Sequence, residues 1–314
     1  MKKKSLIFGI TGQDGILLSK LLLKKKHRVF GLYRNVLKKK YIDKKVKLIF
    51  NKRLTKKIIE ENIKKINPNE IYFLIGQSSS FDSLKTPNEA LNTNFTIFVN
   101  IIEYCIKYKI KPNIFYASSA EVYGNNPKKI DEKTIKNPKN PYSLSKYLAM
   151  IYIDYIRKFY KLNISIGILF NHSSEYRPKE SFLKKIIIYI NKGRFLKKLA
   201  LGNIDIYRDL GLAQEYVVAM YKIVQQKKPN DYIIATEKLV SLRSLVKYAF
   251  SLKGMNYENH IRINKLKFSN KEILFSSADT SKIRRNLQWK PSGNIKDLIK
   301  KEIIKNENIS KSKK

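Results

Sequence analysis

The sequence is poor in the residues that build disulfides, metal sites and membrane spans. It has one cysteine, Cys105, and three histidines, His27, His172 and His260. A single cysteine forms no intrachain disulfide, and the histidines are too scattered for a metal site of ordinary spacing. No stretch reaches the roughly 18 to 20 apolar residues of a membrane helix, and the apolar run after the lysine-rich start is too short for a signal peptide. We therefore expect a cytoplasmic protein with no metal ion and no membrane partner.

Acidic residues are also scarce, since 65 Lys and Arg stand against 25 Asp and Glu, for a formal charge of +40. Such an excess can attract nucleic acid through its phosphates. Here the lysines are dispersed in twos and threes, as at residues 24–26 and 38–40, rather than gathered in a groove with interleaved aromatic residues. This distribution is typical of solvated helix faces and predicts no nucleic-acid partner.

The hydrophobic residues, 43% of the chain, follow a pattern that predicts an α/β fold. Short apolar runs alternate with segments of helical periodicity, which predicts a doubly wound parallel sheet of the Rossmann type. The predicted strands span residues 5–8, 28–32, 46–50, 70–74, 113–117 and 164–169, and the predicted helices span residues 16–25, 55–66, 88–108 and 142–160.

After Phe170 the rhythm changes, which predicts a second and smaller lobe. Residues 181–191 and 212–226 have helical spacing, residues 232–235 resemble a strand, and Ser241 can cap a helix that runs to Leu252. We predict a Rossmann-type domain over residues 1–170 and a mixed α/β lobe over residues 171–304, and the chain can recross between them. Residues 305–314 lack apolar periodicity and are predicted to be disordered.

A glycine-rich turn, Gly9-Ile-Thr-Gly12-Gln-Asp-Gly15, stands between the first predicted strand and the first predicted helix. Glycines there let the backbone approach a pyrophosphate, whose charge faces free N–H groups and the positive end of the helix dipole. Glycines are common in ordinary turns as well, but the strand–turn–helix context favours dinucleotide binding. The second strand leads to Arg34, and no acid follows until Asp43. An arginine at this place suits a 2′-phosphate, which favours NADP over NAD, although Arg34 can also be surface charge. Residues 1–170 are therefore the predicted NADP-binding domain, and residues 171–304 are the predicted substrate lobe.

Tyr142 and Lys146 are four residues apart and share one face of a predicted helix. A phenol is a poor base at neutral pH, and a neighbouring ammonium group lowers its pKa. Ser119 ends a predicted strand at the sheet edge where open α/β sheets bind ligands. Ser119 could hydrogen-bond a substrate oxygen, and Glu121 could transfer a proton to or from a carbon atom of the substrate. Taken singly, Ser119 could be an ordinary turn residue and Glu121 an ordinary surface acid. Together with Tyr142 and Lys146, however, they predict an active site.

These motifs resemble those of the extended short-chain dehydrogenase/reductases and, among them, the GDP-mannose 4,6-dehydratase family. The likeness covers nearly the whole chain to about residue 300, in residues 9–15, 70–78, 118–124, 141–146, 167–172, 201–205, 208–211 and 287–291. The narrower resemblance depends on the Gly-Gln-Asp-Gly loop at residues 12–15, Leu-Phe-Asn-His at residues 169–172 and Leu-Gly-Asn at residues 201–203.

The resemblance implies a hydro-lyase that dehydrates a nucleotide-sugar, GDP-mannose to GDP-4-keto-6-deoxymannose, with NADP, for deoxysugar synthesis. Tyr142 would take the proton of the 4-hydroxyl while the cofactor takes hydride from C4, with Lys146 and Ser119 assisting. Glu121 would abstract the C5 proton and help the C6 hydroxyl leave as water. The implied cofactor contacts are Gly9, Thr11, Gly12, Gln13, Asp14, Gly15, Arg34, Leu54, Leu74, Gly76, Gln77, Tyr142, Lys146, His172 and Arg177, and the implied substrate contacts are Ser78, Asn171 and Arg208.

Some positions depart from the family's pattern, and all of them bear on binding or assembly. The basic arm after Arg34 is short, which predicts a homodimer rather than a tetramer. The substitutions are Arg53 for an Asp before Leu54, Leu212 for a His, and Ser269-Asn270 for an Arg-Pro pair.

Two other functions stay open from the residues alone. An epimerase or reductase acting on another nucleotide-sugar would share Tyr142 and Lys146 but would not need Glu121. A non-catalytic dinucleotide-binding regulator would have kept the fold without turnover.

Overall fold

The structure, a computed structural model, describes residues 1–34, 36–77, 80–126, 129–193, 195–264 and 277–311. The strands are β1 (Lys4–Phe8), β2 (Arg28–Tyr33), β3 (Lys47–Phe50), β4 (Glu70–Phe73), β5 (Asn113–Ser119), β6 (Ile164–Leu169), β7 (Asn171–Ser173), β8 (Leu199–Leu201), β9 (Tyr207–Leu212), β10 (Asp231–Ile234), β11 (Leu239–Ser241) and β12 (Ile261–Ile263). The helices are α1 (Gln13–Lys24), α2 (Lys56–Ile66), α3 (Ser80–Lys85), α4 (Pro87–Leu91), α5 (Ile97–Lys107), α6 (Pro141–Tyr160), α7 (Phe182–Lys192), α8 (Ala213–Val224), α9 (Leu242–Ser251), α10 (Ser281–Leu287) and α11 (Ile295–Lys311).

A seven-stranded parallel sheet in the order β10-β6-β5-β4-β1-β2-β3 forms the centre of the molecule. The strand order reverses between β1 and β4, so the carboxyl ends of these two strands border a crevice at the sheet edge. The predicted α/β, doubly wound fold is confirmed. The six strands predicted in the first half all form, each within two residues of its predicted bounds.

Both faces of the sheet are buried, which explains why its strands are continuous apolar runs. Successive side chains of β1 alternate between two cores, with Leu6 and Phe8 on one face and Ile7 on the other. Helices α2, α5 and α6 cover the first face, and α1, α8 and α10 cover the second.

The chain recrosses between its two halves after β6. Strand β10 pairs with β6 in the central sheet, and α8 packs on α1. A third core lies among α7, α9 and α11, beside the small sheets β11-β9-β7 and β12-β8. The domain boundary at residue 170 stays a prediction.

Two sequence-based expectations differ from the structure. The helix predicted over residues 88–108 is interrupted by a π-helical turn, Asn92–Thr96, between α4 and α5. Residues 305–311, predicted to be disordered, continue α11, because extending a formed helix is easier than nucleating one. Among the described residues, no helix combines the length and apolarity that crossing a bilayer requires.

Candidate active site

The glycine-rich turn takes the sharp path that its sequence predicts. Gly9 has a left-handed φ of 90°, and a Cβ there would lie 2.8 Å from the Ile75 side chain. A Cβ on Gly15 would lie 2.4 Å from the Gly9 carbonyl oxygen, so only glycine lets α1 start this close to β1. Gly12 is the N-cap of α1 and offers no side chain to the first N–H groups of that helix. Those N–H groups can therefore accept an anion as partner.

Gln13 and Asp14 use their side chains to fasten this turn to β7. The Gln13 amide donates to the His172 carbonyl oxygen at 3.2 Å, and its oxygen accepts from Ser174 Oγ at 3.1 Å. Asp14 Oδ2 lies 3.0 Å from His172 Nε2, while His172 Nδ1 lies 2.8 Å from the Phe170 carbonyl oxygen. The structure thus brings these three predicted cofactor residues together.

Tyr142 and Lys146 occupy the first two turns of α6, as predicted. The helix begins with a capping box in which Asn140 and Ser143 bond each other's backbone N–H groups, with Pro141 at the first position. Tyr142 is 8% exposed and Lys146 is 4% exposed. The Lys146 ammonium donates to the Ala117 carbonyl oxygen on β5 at 2.8 Å, which anchors α6 to that strand.

The expected lowering of the Tyr142 pKa is wrong for this structure. The pKa of Tyr142 is raised, first because burial disfavours the phenolate and next because of the charge of Glu121. A hydrogen bond from Ser119 and the charge of Arg177 act in the opposite direction. Burial also lowers the pKa of Lys146 to about 7. The buried lysine therefore loses much of the positive charge on which the sequence argument depended.

Glu121 lies in the single turn Ala120–Tyr123 that follows β5. Ser119 caps this turn by accepting from the Glu121 N–H at 3.2 Å. Ser80 Oγ lies 2.8 and 2.6 Å from the two carboxylate oxygens of Glu121, and Asn140 Nδ2 donates to Oε2 at 3.1 Å. Since Ser119 and Glu121 both act on Tyr142, the structure gathers the four predicted catalytic side chains at the carboxyl ends of β4 and β5.

Comparison with known proteins identifies the family. A family model described as GDP-mannose 4,6 dehydratase matches residues 6–302. This chain belongs to the GDP-mannose 4,6-dehydratase family. GDP-mannose 4,6 dehydratase 1 of Arabidopsis thaliana is 31% identical, with 100% of this chain and 92% of the relative covered. The GDP-mannose 4,6 dehydratase of Drosophila melanogaster is 32% identical, with coverages of 95% and 84%.

Solved structures agree with the fold. A UDP-glucose 4-epimerase of Thermotoga maritima, solved with UDP-glucose, has a TM-score of 0.86 at 18% identity, with 99% of this chain and 100% of that chain covered. A dTDP-glucose 4,6-dehydratase of Streptomyces venezuelae, solved with NAD and TYD, has a TM-score of 0.87 at 16% identity, with 97% of each chain covered. The family model and the Arabidopsis and Drosophila relatives confirm the resemblance to the dehydratase family, and with it an enzyme of the hydro-lyase kind.

Of the residues that the dehydratase family implies after β4, Gly76 lies beside Lys146. Leu74 is half-buried, and Gly76 leaves so little room that a Cβ would lie 3.4 Å from Lys146 Nζ and 2.6 Å from Asn94 Oδ1. The Gln77 amide donates to Thr86 Oγ1 at 2.7 Å. These positions follow the carboxyl end of β4, which borders the crevice between β1 and β4.

Other residues implied by the dehydratase family are placed around this centre. Thr11 is buried within the glycine-rich turn, while Arg34 is exposed where β2 ends and Leu54 packs half-buried after β3. Asn171 is exposed on β7, and Arg208 lies on the neighbouring strand β9. Arg177 acts on Tyr142 through its charge.

The departures from the dehydratase pattern have different surroundings. Arg53 is exposed and Leu212 is half-buried at the end of β9. Ser78, Ser269 and Asn270 lie outside the described residues. The described residues contain no group of three or more His, Cys, Asp or Glu side chains that could hold a metal.

The sequence analysis missed several site residues besides Asn140. Asn94 is fully buried in the π-helical turn and donates to Ser145 Oγ at 2.9 Å, next to Lys146. Ser80 contacts Glu121, and Ser83 Oγ accepts from the Tyr142 N–H at 3.2 Å. An asparagine inside an apolar helical stretch was the one usable signal, since buried polar side chains need partners.

Proposed function

We propose that this chain removes water from GDP-mannose to give the 4-keto-6-deoxy sugar, through a transient ketone at C4. Membership of the dehydratase family supports a nucleotide-sugar as substrate. The observation that carries the proposal is the convergence of Ser119, Glu121, Tyr142 and Lys146, because Glu121 adds a carbon base to a site that otherwise suits simple oxidation and reduction.

The residues present fit a nicotinamide dinucleotide. The glycine-rich turn leaves the N-terminus of α1 without a capping side chain, which suits a pyrophosphate. Around Gly76, Asn94 Oδ1 and Gln77 Oε1 are buried oxygens without a protein hydrogen-bond partner, and they can accept from an amide group. When bound, such a cofactor would supply the hydride acceptor for C4 and the hydride donor for C6, so the overall loss of water involves no net oxidation.

The protein's own groups would move the protons. The Tyr142 oxygen, in the phenolate form that Ser119 and Arg177 favour, accepts the proton of the sugar 4-hydroxyl, and Ser119 hydrogen-bonds the same region. Once C4 is a ketone, the C5 hydrogen is acidic, and the Glu121 carboxylate removes it. The C6 hydroxyl then leaves with that proton as water.

For the nucleotide part of the substrate we assign Asn171 and Arg208, with His172 and Arg177 toward the cofactor. Strands β7 and β9 are neighbours, so Asn171 and Arg208 lie on one surface beside the site. An arginine there suits charge-assisted bonds to a diphosphate.

The cofactor preference is proposed as NADP. Arg34 is exposed at the end of β2, where a 2′-phosphate lies in this fold class. Titration of the purified protein with NADP⁺ and NAD⁺ tests this assignment, and tighter binding of NAD⁺ contradicts it.

The assembly is proposed as a homodimer through α6. Ile151, Tyr155 and Phe159 stand at helical spacing on one face of α6 and are 51%, 49% and 60% exposed. An apolar stripe of this kind on a long helix supports an interface with a second copy.

Incubation with a panel of nucleotide-sugars, followed by mass spectrometry, tests the function. We expect loss of one water from GDP-mannose and none after Glu121→Gln. Full dehydration by Glu121→Gln would contradict the assigned base. Isomerisation or reduction without water loss would favour the epimerase or reductase alternative, and no turnover of any sugar would favour the regulator.

A further inference from the structure

Glu121 is held by two side chains to which no role has been assigned. Ser80 Oγ, at the start of α3, lies within hydrogen-bond distance of both carboxylate oxygens, at 2.8 Å from Oε1 and 2.6 Å from Oε2. Asn140 Nδ2 donates to Oε2 at 3.1 Å. We call Ser80 and Asn140 together the Glu121 clamp.

The clamp is tied to the helix that carries Tyr142. Asn140 Oδ1 accepts from the Ser143 N–H at 2.8 Å, so one amide group caps α6 with its oxygen and holds Glu121 with its nitrogen. On the other side, Ser83 Oγ accepts from the Tyr142 N–H and donates to the Ser80 carbonyl oxygen at 2.7 Å. The positions of Glu121 and Tyr142 are therefore fixed relative to each other through α3 and the cap of α6.

Ser80 and Asn140 differ in which oxygens of the Glu121 carboxylate they can bond. A serine hydroxyl has one hydrogen and serves one acceptor at a time, whereas Asn140 bonds Oε2 alone. With the Ser80 hydrogen also on Oε2, that oxygen holds two donors and Oε1 is left to accept a proton. Both bonds stay on Oε2 when Oε1 takes up a proton, so the clamp persists before and after proton transfer.

We propose that Ser80 and Asn140 are positioning residues that present Oε1 of Glu121 to the C5 hydrogen, an inference that rests on the proposed dehydration. In the step concerned, the C5–H bond breaks and its proton goes to Oε1, while its electron pair enters the C4–C5 bond next to the C4 ketone. The pair then forms the C5–C6 double bond as the C6–O bond breaks, and the Glu121 proton leaves with that oxygen as water.

Ser80→Ala removes the shared donor and tests the proposal directly. Because misplacement of a reacting group by a fraction of an ångström is costly, we expect kcat to fall about 10- to 100-fold with KM unchanged. GDP-mannose carrying deuterium at C5 should show a larger isotope effect on kcat in the variant, since C5 deprotonation becomes the slow step. Ser80→Thr keeps the hydroxyl and should restore most of the rate.

Asn140→Asp tests the second donor without removing the cap. Aspartate and asparagine cap helices equally well, so the melting temperature should stay near that of the wild type. The new carboxylate replaces the amide donor with a group that repels the Glu121 carboxylate, and kcat should fall at least as far as it does in Ser80→Ala. Ser244→Ala is the control for Ser80→Ala, because it removes a serine hydroxyl from the first turn of a helix, α9, where that hydroxyl bonds the Ser241 carbonyl oxygen and not Glu121, and kcat should not change.

The outcomes separate the clamp from the function that it serves. If the wild type dehydrates GDP-mannose but both clamp variants keep its kcat and isotope effect, the clamp is overturned and the proposed function stands. If KM rises while the isotope effect stays constant, the two residues serve binding and the positioning role is overturned. If the folded wild type dehydrates no nucleotide-sugar, both proposals fail.

Discussion

At the scale of single residues, the polar side chains of the active site are more deeply buried than polar side chains usually are. Tyr142 and Lys146 both titrate away from their ordinary pKa values because burial penalises their charged forms. In the resting site the phenol of Tyr142 is therefore protonated, and the pKa of Lys146 is about 7. Ser119 and Arg177 favour the phenolate form of Tyr142. Catalytic acids and bases are commonly tuned in this way by their surroundings.

Tyr142→Phe removes the phenolic oxygen and keeps the ring that packs at the start of α6. Because a positioned general base contributes about 10²- to 10⁴-fold to a rate, we expect turnover to fall by about that factor. Dinucleotide affinity, measured by fluorescence titration, should stay within a few-fold of the wild-type value. Retention of most of the wild-type rate in the mass-spectrometric assay would remove Tyr142 from the mechanism.

Lys146→Met should stabilise the fold while it abolishes turnover. The pKa of Lys146 is about 7 in the folded protein, and an unfolded lysine titrates near 10.4, so between these values only the unfolded state binds the proton. Wild-type stability therefore falls as the pH decreases from about 10 toward 7. The gain in free energy of unfolding on replacement should be larger at about pH 7 than at about pH 10, as urea denaturation can show.

Exposed Lys57→Met is the matched control for the loss of one lysine. If Lys146→Met and Lys57→Met gave the same difference from the wild type at both pH values, the burial of Lys146 would have no role in stability.

At the scale of elements, short connections do most of the positioning. The glycine-rich turn joins β1 to α1, the single turn after β5 carries Glu121, and α3 contacts the start of α6. Each is held by specific hydrogen bonds or close backbone approaches rather than by a large core, as expected of functional segments on a rigid sheet.

Gly15→Ala tests the close packing of α1 on β1. The new Cβ would lie 2.4 Å from the Gly9 carbonyl oxygen and 2.6 Å from Ile10 Cα, so the backbone must shift. We expect a loss of about 1–3 kcal/mol of stability and at least tenfold weaker dinucleotide binding in a fluorescence titration, because the N-terminus of α1 moves.

Gly193→Ala provides the comparison for this test. Its Cβ meets nothing within 4 Å, and only its φ of 62° is unfavourable for alanine. It should cost about 1 kcal/mol and leave dinucleotide affinity unchanged. Equal affinities for all three proteins would contradict the role given to the glycine-rich turn.

At the scale of the whole molecule, the candidate active site lies at the carboxyl ends of the strands, and a buried polar cluster lies at their amino ends. Glu70 opens β4 and is 1% exposed, and its Oε2 accepts from Ser5 Oγ at 3.0 Å and Tyr72 Oη at 3.1 Å. His27 Nδ1 lies 2.8 Å from the same serine hydroxyl. This cluster connects β1, β4 and the start of β2, away from the candidate active site.

The proposed dimer is a prediction about the whole assembly. Light scattering should give the mass of two chains for the wild type and of one chain for Tyr155→Asp/Phe159→Asp, because two charges on the apolar stripe of α6 oppose its burial. Leu196→Asp replaces an apolar residue elsewhere that is even more exposed, at 92%, and should stay dimeric. A monomeric wild type would contradict the proposal.

The sequence by itself determined the sheet, the glycine-rich turn and the spacing of Tyr142 and Lys146. These depend on local order, because strand length, helical periodicity and glycine position are written in neighbouring residues. Tertiary structure alone decided the pKa shifts of Tyr142 and Lys146, since burial depends on elements far apart in the chain. It likewise decided the π-helical turn at Asn94 and the contacts of Ser80 and Asn140 with Glu121, because hydrogen bonds between residues 19 and 41 positions apart follow no local pattern.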